Sequence, residues 1–252
     1  MNHSERRPDE AVVEVHNAQA TSPVVIVCEH ASAHIPAVFD DLGLSGDALH
    51  SHVAWDPGAL AVARHMSQEL DAVLVASRIS RLVYDCNRPP DAAGAMPVRS
   101  EIVDVPGNRD LSKAQKADRV AKYYEPFRAA LSNVLARVSD PVLVTIHSFT
   151  PVYHGRKREV EIGVLHDKDA RLADALLSDA VSTHAVRRNE PYGPGDGVTH
   201  TLKEHALGPG LLNVMLEVRN DLIAGETDQA AMADLLSGWI RRALTPAGAA
   251  TC

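Results

Sequence analysis

Short, wholly apolar runs alternate with amphipathic segments along most of this chain. Val24–Cys28 is continuously apolar, the pattern of a strand buried on both faces; residues 72–76 repeat it, and residues 82–85, 142–146, 160–165 and 212–218, apolar but for one or two positions each, are further strand candidates. Between them the period lengthens. Residues 56–70 carry Leu60, Ala63, Met66 and Leu70 at helical spacing. Residues 112–139 carry Val120, Tyr123, Tyr124, Phe127, Leu131 and Leu135 on one stripe, with Ser112 placed as the N-cap. Residues 169–177 and 229–244 read as two further helices. Two stretches dense in turn residues interrupt the alternation, 89–108 after Pro89-Pro90 and 189–197 around Pro191, Gly193, Pro194, Gly195 and Gly197. Residues 1–22 lack periodicity and are expected to form a flexible arm or a loose edge segment, residues 23–244 a single catalytic α/β domain, and residues 245–252 a frayed tail. No internal repeat is visible.

Strand and helix in alternation predict an α/β fold, a mostly parallel or mixed sheet flanked by helices, with the two long loops beyond its carboxyl edge. At 252 residues and 45% hydrophobic the chain can bury one sizeable core. Its 33 acidic against 25 basic residues, without a basic block, argue against a nucleic-acid partner. Cys28, Cys86 and Cys252 are too few and too scattered for a disulfide framework or a cysteine-rich zinc module. No run approaches the roughly 18 apolar residues of a membrane span, and the polar start lacks a secretory apolar region, so the expected location is cytoplasmic with no membrane partner.

The chemistry gathers where strands end. Residues 24–28 lead into Glu29-His30, 142–146 into His147 and 214–216 into Glu217, and ligands of open α/β sheets bind beyond the carboxyl ends of strands. Two histidines with carboxylates there point to zinc-assisted hydrolysis. A catalytic zinc takes three protein ligands, commonly two histidines and a carboxylate, and keeps one position open. His30 and His147 supply two. Asp56, Glu29, His34 and His52 compete for the third place. Asp56, in the polar junction before a helix, serves either as an N-cap or as a ligand, whereas Glu29 points away from His30 if the strand continues, so Asp56 is preferred.

Glu217 lies in an apolar strand, where an unpaired carboxylate is costly. It is either the partner of Arg219, two residues on and on the same face, or the general base that takes a proton from the attacking water. Arg88 ends the string Asp85-Cys86-Asn87-Arg88. Its planar fork suits a substrate carboxylate, with Asn87 to orient it and Arg81 and Arg219 as helpers. There is no phosphate-binding glycine loop, no dinucleotide fingerprint and no serine-nucleophile elbow around Ser148.

Six strings in one order, Cys-Glu-His-Ala-Ser (28–32), His-Val-Ala-Trp-Asp-Pro-Gly-Ala (52–59), Ser-Arg-Leu-Val-Tyr-Asp-Cys-Asn-Arg-Pro-Pro-Asp (80–91), Pro-Gly-Asn-Arg-Asp-Leu-Ser (106–112), Ile-His-Ser-Phe-Thr-Pro-Val-Tyr (146–153) and Glu-Val-Arg-Asn-Asp-Leu-Ile (217–223), resemble the N-formylglutamate amidohydrolase family. That family is similar to the zinc carboxypeptidase and aspartoacylase group. The resemblance implies a three-layer α/β/α, zinc-dependent exopeptidase-like fold, one zinc ion on His30 and His147, and Glu217 as the catalytic glutamate. It also implies that the Asp85–Arg88 element grips substrate carboxylate. The related enzymes carry His-x-x-Glu, whereas Ala33 stands three residues after His30, and Asp56 is the substitute. The implied activity is hydrolysis of the formamide of N-formyl-L-glutamate or a related N-acyl amino acid, a small-molecule substrate. The alternatives are a zinc deacylase or peptidase of another small amide, or a non-catalytic metal- or carboxylate-binding protein of the same fold.

Overall fold

The computed structural model describes residues 11–178 and 183–245. In chain order β1 (Val13–His16) and β2 (Val24–Cys28) precede helices α1 (Gly46–His50) and α2 (Ala59–Glu69), followed by β3 (Val73–Ser77). A small hairpin, β4 (Arg99–Ser100) with β5 (Val103–Asp104), lies inside the first long loop. Next come α3 (Lys113–Arg119), a π-helical turn (Val120–Tyr124) and α4 (Glu125–Leu135). The chain continues through β6 (Val142–Phe149), a second hairpin of β7 (Val152–Tyr153) and β8 (Arg156–Lys157), β9 (Ile162–Leu165), α5 (Arg171–Ser178) and β10 (Val186–Arg188). It closes with α6 (His200–Leu202), β11 (Asn213–Arg219) and α7 (Glu226–Leu244).

Seven strands form one mixed sheet in the order β1-β3-β2-β6-β11-β9-β10. The central four, β3, β2, β6 and β11, are parallel, and all their residues are buried, as the predominantly apolar runs predict. Strand alternation divides the core. Ile26, Val144, Ile146, Leu216 and Val218 face α2, α5 and α7, while Val25, Val27, Leu143 and Met215 face α4, giving three layers. Helix α7 presents Met232, Ala233, Leu236, Trp239 and Ile240 as one buried stripe. Order reverses at β2, which has β3 on one side and β6, from much later in the chain, on the other. A crevice opens at such a switch point beyond the strand ends.

Three local expectations change. Residues 13–16, placed by sequence in the N-terminal arm, pair antiparallel with β3 as an edge strand; residues 1–10 of that arm, residues 246–252 of the tail and Cys252 lie outside the described residues. Residues 82–85 are not a strand. The chain turns on Ser80, whose carbonyl accepts from the Val83 and Tyr84 amides and whose Oγ accepts from the Leu82 amide, so Leu82, Val83 and Tyr84 are buried by a tight turn. The long helix is two helices about a π turn and ends at Leu135; Ser112 does cap it, accepting from the Gln115 amide at 3.2 Å.

Candidate active site

His30 follows β2 by two residues, and His147 lies within β6, directly beside Glu217 on β11 in the parallel register. Residues paired in register share a sheet face, so both side chains point to the same side of the sheet. Asp56 is brought in by a loop that hangs on this edge: its amide donates to the His30 carbonyl at 2.9 Å, and Ser148 Oγ donates to the Pro57 carbonyl at 2.7 Å. The turn that follows needs glycine. Gly58 has φ +81°, and a Cβ there would stand 2.6 Å from the Ile223 carbonyl oxygen. Helix α2 receives no side-chain cap from Asp56. The carboxylate turns inward instead.

Three atoms meet in this crevice. His30 Nδ1 lies 3.2 Å from Asp56 Oδ2, His147 Nδ1 lies 3.0 Å from the same oxygen, and the two Nδ1 atoms are 3.2 Å apart. The three residues are at least 97% buried. Ligands at zinc–nitrogen and zinc–oxygen distances of about 2.0–2.1 Å in a tetrahedron stand about 3.3 Å from one another, so the spacing fits one small cation. Each far side is held as well. His30 Nε2 meets Asp85 Oδ1 at 2.7 Å, His147 Nε2 meets Glu29 Oε2 at 3.1 Å, and Arg81 NH1 donates to Asp56 Oδ1 at 3.3 Å. The His147–Glu29 contact is at ion-pair distance but off the line of a hydrogen bond, so neither atom has an aligned partner. With its Nε2–H on Asp85, His30 turns a lone pair into the crevice, the arrangement that outer carboxylates impose on metal-binding histidines, and Glu29 stands at the corresponding side of His147.

Charge agrees with spacing. Burial alone would raise the carboxyls of Asp56, Asp85 and Glu29, but the histidines, with Arg81 beside the two aspartates, outweigh it and hold all three below the ordinary carboxylate range. Burial likewise opposes charge on His30 and His147, and the surrounding carboxylates overcome it and raise both. With both imidazoles neutral, as metal ligation requires, three carboxylates against one guanidinium leave two negative charges in a buried cluster, which a dication neutralises. Two imidazolium N–H groups facing each other at 3.2 Å would do so far less well.

Glu217 lines the same crevice, 5% exposed, with Oε2 unpaired among the described residues. Arg219 does not pair with it. Burial pushes the Glu217 carboxyl up to about 7, against the opposing pull of His147. A carboxylate so poised beside a cluster that could hold a metal has the properties of a general base. Around it is a cavity of about 500 Å³, walled by both loops that the sequence marks as irregular, through Glu101 on one side and Tyr192 on the other. A larger groove of about 1150 Å³ beside β1 contains no metal-ligand cluster, and its Arg64 and Lys122 are paired with Glu14 and Asp118.

The arginines divide differently from the sequence-based assignment. Arg88 reaches the cavity, with NH1 donating to the carbonyls of Gly197 at 2.6 Å and Asn87 at 3.1 Å. Asn87 is engaged at both ends, donating to the Val198 carbonyl and accepting from the Thr201 amide, so it clamps the second loop. Arg81 is held by Asp56 and Asp85. Arg219 lies outside the cavity wall, bound to Glu161, Asp221 and the Arg158 carbonyl. His52 lines the cavity but pairs with Glu101 at 2.7 Å, and His34 is outside it. Glu29 contacts His147 and is not one of the three converging residues.

Two features of the site are not visible in the sequence pattern. Asp85 orients His30 and is not in the cavity wall, and Arg158 is in that wall. Arg158 sits in the basic hairpin string Gly155-Arg156-Lys157-Arg158, which reads as a solvated turn; its one signal is the set of aromatic residues, Phe149, Tyr153 and Tyr192, that flank it or recur in the second loop. Cys28 and Cys86 are buried free thiols, and burial raises both. Among the described residues no helix is long and apolar enough to cross a membrane.

The family model of N-formylglutamate amidohydrolase matches residues 22–224. Among solved structures, gene product Atu2144 from Agrobacterium tumefaciens is 57% identical, with a TM-score of 0.92 over 94% of this chain and 97% of that one. N-formylglutamate amidohydrolase from Ralstonia eutropha JMP134 is 19% identical, with a TM-score of 0.63 over 92% of this chain and 97% of that one, a likeness of fold alone. No curated protein matches the chain.

Proposed function

The chain belongs to the N-formylglutamate amidohydrolase family, a family of hydrolases, and from that premise we propose that it is a zinc-dependent amidohydrolase. It cleaves the formamide of N-formyl-L-glutamate or a closely related N-acyl amino acid. The observation that carries the metal dependence is the convergence of His30 Nδ1, Asp56 Oδ2 and His147 Nδ1 at 3.0–3.2 Å, each backed by a second charged group. These three residues would hold the ion. Bound there, zinc would supply Lewis acidity, polarising the acyl oxygen and acidifying water.

The chain's own groups carry the rest. Glu217 Oε2, unpaired and buried, accepts the proton of the attacking water and returns it to the leaving amine nitrogen, without which the C–N bond would have to expel an amide anion. Asp85 and Glu29 keep the imidazoles turned toward the crevice, and Arg81 balances the charge of Asp56. Arg88, with donors left beyond its two carbonyl contacts, receives the α-carboxylate of the amino acid, while Asn87 holds the wall in which that site lies.

Elemental analysis of the purified protein, followed by formate release from N-formyl-L-glutamate with and without a chelator, tests the proposal. One zinc per chain and activity that disappears on chelation and returns with zinc are expected. Activity indifferent to the chelator would overturn metal dependence. Zinc at one per chain with no turnover of any N-acyl amino acid would favour a binding protein.

A further inference from the structure

Arg158 is half-buried in the wall of the cavity that contains His30, His147 and Glu217. Its guanidinium carbon lies 4.4 Å from the ring centroid of Tyr153, 4.7 Å from that of Tyr192 and 5.4 Å from that of Phe149. NH1 donates to the Tyr192 hydroxyl at 2.9 Å. The backbone is anchored at both ends, the amide donating to the Pro151 carbonyl at 2.8 Å and the carbonyl accepting from Arg219 NH1 at 3.2 Å. No carboxylate among the described residues pairs with it, and Nε and NH2 have no hydrogen-bond acceptor there. Aromatic faces stabilise a cation but leave the edge of the guanidinium fork free to make two parallel hydrogen bonds to a carboxylate.

Three arginines line this cavity, and they are not equivalent. Arg81 is neutralised by Asp56 and Asp85, whereas Arg88 and Arg158, on separate loops, face the space without a carboxylate partner. Two such cations in one cavity suit a ligand with two anionic groups. We propose that Arg158, held by Tyr153 and Tyr192, is a specificity-determining residue that receives the second carboxylate of a dicarboxylic substrate, the one on its side chain. The inference rests on the amidohydrolase reading, in which Arg88 takes the α-carboxylate.

The test compares N-formyl-L-glutamate with N-formyl-L-glutamine, which lacks only the second charge, as substrates of the zinc-loaded full-length protein. In wild type, kcat/KM favours the dicarboxylate; in Arg158→Met that preference collapses by about 30-fold or more, chiefly through KM, and Arg158→Lys restores part of it. A preference ratio within threefold of wild type in Arg158→Met overturns the proposal. Tyr192→Phe removes only the hydroxyl that holds NH1 and should lower the same ratio, so the question is answered even if Arg158→Met fails to fold. Calorimetric binding of glutarate against butyrate is the readout without turnover. A wild-type preference for glutarate that is lost in Arg158→Met supports the role even if no formamide is hydrolysed, an outcome that defeats the amidohydrolase reading alone. No preference for glutarate in wild type overturns the role of Arg158.

Discussion

Asp85→Asn separates two roles for one carboxylate. The family resemblance places Asp85 in an element that grips substrate, whereas in the structure Oδ1 meets His30 Nε2 at 2.7 Å and accepts from the Asn87 amide at 2.9 Å, and Oδ2 accepts from Arg81 NH2 at 2.9 Å. The side chain is 3% exposed and absent from the cavity wall. The substitution keeps the shape but removes the charge that fixes the His30 tautomer, and it sets an amide N–H₂ against either Arg81 or the imidazole. A buried hydrogen bond to a charged group contributes about 1.5–3 kcal/mol, and loss of an outer carboxylate typically weakens metal binding about 10- to 100-fold, or about 1.4–2.7 kcal/mol. The two scales agree. Zinc affinity, measured by competition with a chromophoric chelator, should fall by that factor, while KM measured at saturating zinc stays within about threefold of wild type. Unchanged zinc affinity with a large rise in KM would refute the orienting role and restore the substrate-gripping one.

Glu217→Gln should lower kcat by at least about 100-fold while zinc content stays at one per chain; a nearly unchanged kcat would remove Glu217 as the base. Gly58→Ala forces a Cβ toward the Ile223 carbonyl in a left-handed turn two residues from Asp56, and should cost about 2 kcal/mol or more in urea unfolding and weaken zinc binding; stability within about 0.5 kcal/mol of wild type would contradict the close approach. His205 supplies the pH dependence. Burial lowers it to about 4, so between about pH 6.5 and 4 the unfolded chain binds a proton that the native protein excludes, and stability falls as pH falls through that window. The contribution lost between pH 7.5 and 5 is about 2 kcal/mol, and urea titrations of wild type and His205→Gln at both pH values should differ by that amount; parallel losses would refute it.

The strands were legible because burial on both faces leaves a predominantly apolar run, and β2, β3, β6, β9 and β11 all lie on such runs. The same signal misled at residues 82–85, since a run buried by a turn on Ser80 looks identical in one dimension. The edge strand β1 is half-buried, with Val15 exposed, and has no such pattern, so pairing with β3 reveals it where periodicity does not.

At the site, the sequence by itself specified residue types at strand ends: His30, His147 and Glu217 stand beyond or near the close of apolar runs, which places them toward one edge of a parallel sheet, while the adjacency of β2, β6 and β11 that makes them neighbours belongs to the tertiary structure. It left four candidates for the third ligand of the proposed metal. Only the tertiary structure joined Asp56, rather than Glu29, His34 or His52, to the two histidines, because the choice depends on the path of the loop that hangs on the His30 carbonyl and turns at Gly58. The partners of the arginines were likewise decided in three dimensions. Arg81 and Arg219 are neutralised by carboxylates, two of which, Asp56 and Glu161, lie 25 and 58 residues away along the chain, and Arg158 is lifted from a hairpin into an aromatic cage. Local spacing encodes which face a side chain occupies; the charge it meets there depends on which distant segments fold against it.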